Sequence, residues 1–111
     1  MSHPISSATR LAELVEYQHA SVVSRVVLRS PGGTMTVFAF AGGQGLSEHT
    51  NPNDAVVQVL DGEVRIQVGG TEHLVRQGEW LHLPPSVPHA LLGGAPFKML
   101  LTLLKQTPGV E

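Results

Sequence analysis

Glycine and proline decide what this chain can become. From Ser21 onward, short β-prone runs alternate with turns at Ser30-Pro31-Gly32-Gly33, Gly42-Gly43-Gln44-Gly45, Asn51-Pro52-Asn53-Asp54, Asp61-Gly62, Gly69-Gly70, Gln77-Gly78, Pro84-Pro85-Ser86-Val87-Pro88 and Gly93-Gly94. Turn signals at roughly 8–12-residue spacing exclude long helices and mark an antiparallel sandwich or barrel. The intervening runs have matching chemistry. Val22, Val23, Val26, Val27 and Leu28 precede the first turn, and residues 34–41 (TMTVFAFA) form the returning strand. Residues 56–60 are an apolar run, and Asp61-Gly62 predicts a tight hairpin from it into residues 64–68. There Val64, Ile66 and Val68 alternate with Arg65 and Gln67, so the apolar set faces inward. A two-residue Gly69-Gly70 turn would pair Val68 with Thr71, Ile66 with His73 and Val64 with Val75. Ahead of all this, residues 1–20 read as a lead. It holds one short helix through Leu11, Leu14 and Val15, capped by Ser7 or Thr9. The barrel domain then spans residues 21–111.

Composition narrows the function classes. A single domain of 111 residues with 41% hydrophobic and 14% charged residues buries a core without staples. Without cysteine there is neither a disulfide framework nor a thiolate metal site. A net charge of −2, no basic cluster and 5% aromatic residues argue against nucleic acid as a partner. Residues 1–10 have no apolar core for a signal peptide or anchor, and the apolar run from Phe97 to Leu104 is too short to span a bilayer. The expectation is a cytoplasmic protein that binds no membrane. No Ser/His/Asp or Cys/His nucleophile set is readable, and no phosphate-cradling glycine loop opens a helix.

Histidine carries the remaining chemistry. His49 follows the Gly42–Gly45 turn region, and His89 follows the proline bend, forty residues later in the chain. Each stands beside a stiff turn and a β-rich run, so the two imidazoles can converge in one barrel. Around them the chain resembles a small single-domain cupin over residues 21–104. The first motif of that family places a glycine, a His-x-His pair, a glutamate and a later glycine; here His49 falls on the first histidine and Gly62 on the glycine, while Asn51 and Ala55 stand at the second histidine and the glutamate. In the second motif Gly78, Pro84 and His89 match, Ser86 replaces a glycine and Gly93 an asparagine. The resemblance implies an all-β double-stranded β-helix (jelly-roll) barrel with a short N-terminal helix or extended segment. It also implies a small-molecule ligand held in the barrel, and one divalent metal ion (Zn, Fe, Mn, Ni or Cu) on His49 and His89, or none, since half the ligand set is missing.

Catalytic zinc takes three protein ligands and a water. His82 and Asn51 are the candidates for a third ligand or pocket donor. Glu48 is a further one, and Asp54 and Gln58 are out of phase with Ala55. Ala55, Val57, Val59 and Trp80 are the expected pocket lining. The bland readings stand beside these. His73 fits a satisfied structural histidine, His3 and His19 fit solvated ones, Trp80 fits core or interface, and residues 51–54 fit a turn closed by Asx hydrogen bonds. Three functions remain open: a metal-dependent enzyme on a small organic compound, a ligand-binding or sensing module without turnover, and a metal-free acid/base enzyme.

The last strand is apolar on both faces, with Phe97, Met99, Leu101 and Leu103 on one and Leu100 and Leu104 on the other. A second layer must cover the latter face, either the N-terminal segment or a partner subunit. The expected assembly is a homodimer. Light scattering should then give about twice the chain mass, and a clean 11.8 kDa species contradicts it.

Overall fold

A computed structural model describes residues 7–106. Among these residues nine strands follow one 3₁₀ turn at Leu11–Leu14. They are β1 (Val22–Ser30), β2 (Gly33–Phe40), β3 (Leu46–His49), β4 (Asp54–Asp61), β5 (Glu63–Val68), β6 (Thr71–Arg76), β7 (Trp80–Leu83), β8 (His89–Leu92) and β9 (Phe97–Leu104). A five-stranded sheet in the order β1-β2-β9-β4-β7 faces a four-stranded sheet in the order β3-β8-β5-β6, with every neighbour antiparallel. This is the double-stranded β-helix anticipated above. Among the described residues no helix is long and apolar enough to cross a membrane.

Cross-strand partners share a face, so the pairing register shows what each sheet turns inward. Across the five-stranded sheet the rungs read Phe40–Phe97 at one end, then Phe38–Met99–Val59, then Thr36–Leu101–Val57–Leu81, then Thr34–Leu103–Ala55–Leu83 at the other end. Opposite them stand Val64, Ile66, Val75 and Leu91. The first end is sealed. Phe40 and Phe97 are fully buried and stack at 4.5 Å between centroids, and truncating either to Ala would cost about 3–5 kcal/mol. At the other end Leu101 and Leu103 are only partly buried. That is the open mouth of the barrel.

The outer face of the large sheet is covered by the N-terminal segment. Val15 is buried there with Val37, Ala39 and Leu100, and Leu11 packs against the same cluster. Polar bonds fasten the segment: Tyr17 donates its O–H to the Asp61 carboxylate, and Lys98 Nζ donates to the Ala12 carbonyl at 2.7 Å. Burial, reinforced by the Asp61 contact, pushes the Tyr17 phenol above its ordinary value. Of the two candidate coverings for the second face of β9, the N-terminal segment lies over Leu100, while Leu104 stays exposed.

Two local expectations change. The helix is a single 3₁₀ turn with Arg10 at its N-cap and no side-chain cap; Thr9 Oγ1 bonds to the Ser7 carbonyl instead. Val15 leaves the turn in extended conformation, which is how it reaches its buried site. Asp61-Gly62 is not a hairpin turn, because β4 and β5 belong to different sheets. It is the corner where the chain crosses between them. Gly62 has φ +75°, and a Cβ there would meet the Pro96 carbonyl oxygen at 2.6 Å. The Gly69-Gly70 turn does form a hairpin, with the expected register of Val68 with Thr71, Ile66 with His73 and Val64 with Val75.

The proline bend between β7 and β8 contains one strained residue. Ser86 has φ +62°, a left-handed conformation that costs a residue with a Cβ roughly 1–2 kcal/mol. Ser86→Gly removes that strain but loosens the unfolded chain. Chemical denaturation should show a net gain of roughly 0.5–1 kcal/mol; a loss of that size would contradict the assignment of strain.

Candidate functional site

His49 ends β3 and His89 begins β8, and the two are direct cross-strand partners. Several backbone features put them there. At Gly45 a Cβ would stand 2.3 Å from the Leu91 carbonyl oxygen, so only glycine lets the chain entering β3 lie this close to β8. A bulge between Leu46 and His49 turns the histidine toward its partner. The loops behind the two rings are tied together by a hydrogen bond from the Ser86 N–H to the Asn51 carbonyl at 2.8 Å. Gly69 N–H to Pro88 O, also 2.8 Å, anchors the bend to the β5–β6 hairpin.

The rings meet edge to face, 4.2 Å between centroids and 68° between planes, with Nε2 to Nε2 at 3.0 Å. His89 is buried, while His49 is exposed at the mouth. The far nitrogens face main-chain carbonyls two residues back: His49 Nδ1 lies 2.8 Å from Ser47 O, and His89 Nδ1 lies 3.3 Å from Val87 O. A ring nitrogen held at short hydrogen-bond distance from a carbonyl carries the proton. The shorter contact fixes His49 as the Nδ1–H form, with its Nε2 lone pair aimed at His89. In the neutral pair His89 then donates its Nε2–H to that lone pair. When His89 instead carries its proton on Nδ1 and donates it in a hydrogen bond to Val87 O, both Nε2 lone pairs point at one spot. Burial is the larger reason that the His89 pKa is held below the ordinary imidazole value of 6.5, with the neighbouring His49 adding to it.

That second state can accept a cation. Two nitrogens ligating one ion at about 2.0–2.1 Å, side by side in its shell, stand about 3 Å apart, which is the observed separation. Among the described residues no cluster of three or more His, Cys, Asp and Glu is placed to hold a metal. The pair therefore fits as two ligands of an ion whose other positions are open to water or to a bound molecule.

The other expected site residues lie elsewhere. His82 is on the outer face of β7, across from Val56, with its Nε2 2.7 Å from Asp54 Oδ1. Trp80 sits beside Gln58 on that same outer face and is 64% exposed, so it does not line the interior. The reason is alternation: Leu81 and Leu83 take the inward positions of β7. Asn51 Oδ1 accepts from the Asn53 N–H at 2.8 Å, closing an Asx turn. Ala55, Val57 and Val59 face inward but are packed in the core. His73 is half-buried opposite Ile66, His19 and Glu48 are exposed, and His3 lies outside the described residues.

Sequence reasoning missed one inward position. A bulge in β1 between Val26 and Leu28 shifts the alternation, so that Arg29 pairs with Thr34. Arg29 thereby extends the mouth rung to Arg29–Thr34–Leu103–Ala55. Period-two counting from Val22 cannot reach it through the bulge.

Residues 36–103 match the family model described as a cupin domain. A cupin 2 conserved barrel domain protein from Leptotrichia buccalis superposes with a TM-score of 0.81 at 43% identity, covering 85% of this chain but only 46% of that one. The chain thus spans a little under half of that relative. A conserved protein of unknown function from Streptococcus pyogenes gives a TM-score of 0.87 at 28% identity over 96% of this chain and 92% of its own. A cupin superfamily protein from Desulfitobacterium hafniense gives 0.86 at 28% identity, covering 93% and 94%. No curated protein matches the chain.

The electrostatics of His89 make a pH prediction for the metal-free protein. Because its folded pKa is depressed, the unfolded chain binds the extra proton first as pH falls below 6.5. The stability that neutral His89 contributes is therefore complete above 6.5 and is lost below it. Melting temperature should fall as pH drops through that region, and less so in His89→Gln. An unchanged pH profile in that variant would contradict the assignment.

Proposed function

The chain belongs to the cupin domain family, and on that premise we propose that it binds a small molecule at the barrel mouth, with His49 and His89 as the polar anchor of the site. The supporting observation is the convergence of the two Nε2 atoms at 3.0 Å beside a partly exposed apolar wall. In one tautomer the pair satisfies itself, and in the other both Nε2 lone pairs are free for a partner. A divalent cation is the partner their lone pairs fit. His49 and His89 would hold it, and once bound it would supply a Lewis acid able to polarise a ligand oxygen.

The chain's own contribution is positional. The carbonyl of Ser47 sets the His49 tautomer and that of Val87 offers an acceptor for the Nδ1–H form of His89, as main-chain acceptors do behind metal-bound histidines. His89 can move its proton between Nδ1 and Nε2 without any change of net charge. A second reading, a metal-free binding or sensing module, draws on the ligand count. Two imidazoles hold an ion loosely, and the neutral pair is already satisfied by its own hydrogen bond.

Metal analysis of protein purified without an affinity tag separates these readings. The metal-bound reading expects close to one divalent ion per chain, lost in both His49→Ala and His89→Ala while circular dichroism stays unchanged. Protein free of metal, with a small-molecule thermal-shift hit abolished in both variants, would establish the metal-free reading. Neither metal nor any ligand affected by the two substitutions would overturn the proposal.

A further inference from the structure

Resting on the mouth as a small-molecule site, we propose that its ligand is a mostly apolar monocarboxylate, and that Arg29 receives the acid group. The argument begins with the mouth rung, Arg29–Thr34–Leu103–Ala55. Leu103 packs against the barrel core, so this rung is on the inner face, and Arg29 shares that face through Thr34. Adjacent strands are about 4.8 Å apart, which puts the Arg29 Cα about 14 Å from that of Ala55 along the rung. A ligand of a single ring and a short side chain spans such a mouth.

Arg29 is the one charged side chain that strand pairing turns to the inner face of the five-stranded sheet. The other charges of that sheet look outward. Arg25 lies across from Val37 in the outer cluster. Lys98 and Asp61 hold the N-terminal segment. Asp54 is bonded to His82. Among the described residues no carboxylate stands within ion-pair distance of Arg29. It is exposed at the rim, so its planar fork can take a carboxylate from a molecule entering the mouth.

The rest of the wall limits what else that molecule carries. Between Arg29 and the closed end, the inner positions are Val26 and Ser24 on β1, Thr34 and Thr36 on β2, and Leu103 and Leu101 on β9. Three scattered hydroxyls among apolar neighbours are too few for a polyhydroxylated sugar, whose buried oxygens would go unpaired. One guanidinium balances one carboxylate and leaves a phosphate dianion or a polycarboxylate uncompensated.

Saturation-transfer NMR and titration of the full chain with three probes test this: 3-phenylpropanoate, the neutral 3-phenylpropanol, and glucose 6-phosphate. The acid should bind more tightly than the alcohol, and the sugar phosphate should be weakest. Arg29→Gln should weaken the acid roughly tenfold and leave the alcohol unchanged. Equal binding of acid and alcohol, an acid affinity indifferent to Arg29→Gln, or preference for the sugar phosphate would overturn the assignment while leaving the mouth a binding site. No binding by any probe would overturn this assignment, and if His49→Ala and His89→Ala also change no metal or ligand binding, the site reading falls with it.

Discussion

Two imidazole nitrogens 3.0 Å apart cannot both present lone pairs to one another. Something with positive character must lie between them, whether a ring proton or an ion. The whole site follows from this constraint. The carbonyl of Ser47 at 2.8 Å commits His49 to one tautomer, while the longer 3.3 Å contact from His89 to Val87 leaves that ring free to choose. One ring is fixed and the other adjustable. In the neutral protein a change of the His89 tautomer turns both Nε2 lone pairs to the same spot with no change in the number of protons bound.

The barrel's architecture keeps that pair in place with backbone rather than side chains. Glycine at position 45 allows the close approach of the chain to β8, and a strained Ser86 donates its N–H to the Asn51 carbonyl, tying together the loops beside the two histidines. The stacked phenylalanines 40 and 97 seal the opposite end, so any ligand must enter on the histidine side. The N-terminal segment, fastened by Tyr17 and Lys98, covers the outer apolar face without touching the mouth. The sealed core and the histidine pair thus occupy different ends of one small sandwich.

Much of this was legible in the residues. Turn spacing gave the all-β class, the clean alternation of β5 with Gly69-Gly70 gave a correct register, and two matched motifs singled out His49 and His89. The failures have physical causes. Asp61-Gly62 has the composition of a hairpin turn, yet it serves as a corner between sheets, and local sequence does not say whether flanking strands pair. Trp80 and His82 were expected near the pocket although Leu81 and Leu83 already claimed the inward positions of a four-residue strand. Strand parity cannot be carried through the neighbouring prolines from the residues alone, so there the facing of His82 had only residue chemistry behind it. Arg29 was hidden for a different reason: a bulge inverts side-chain direction, and nothing in Val26-Val27-Leu28 marks one.

Long-range proton–nitrogen NMR of the imidazoles in metal-free protein, well above the His89 pKa, addresses the central claim most directly. The account predicts opposite tautomers, His49 protonated on Nδ1 and His89 on Nε2, with a shared hydrogen bond linking the two Nε2 resonances. Two rings both protonated on Nε2 and titrating independently would show that they do not face one another, and the site built on them would not exist.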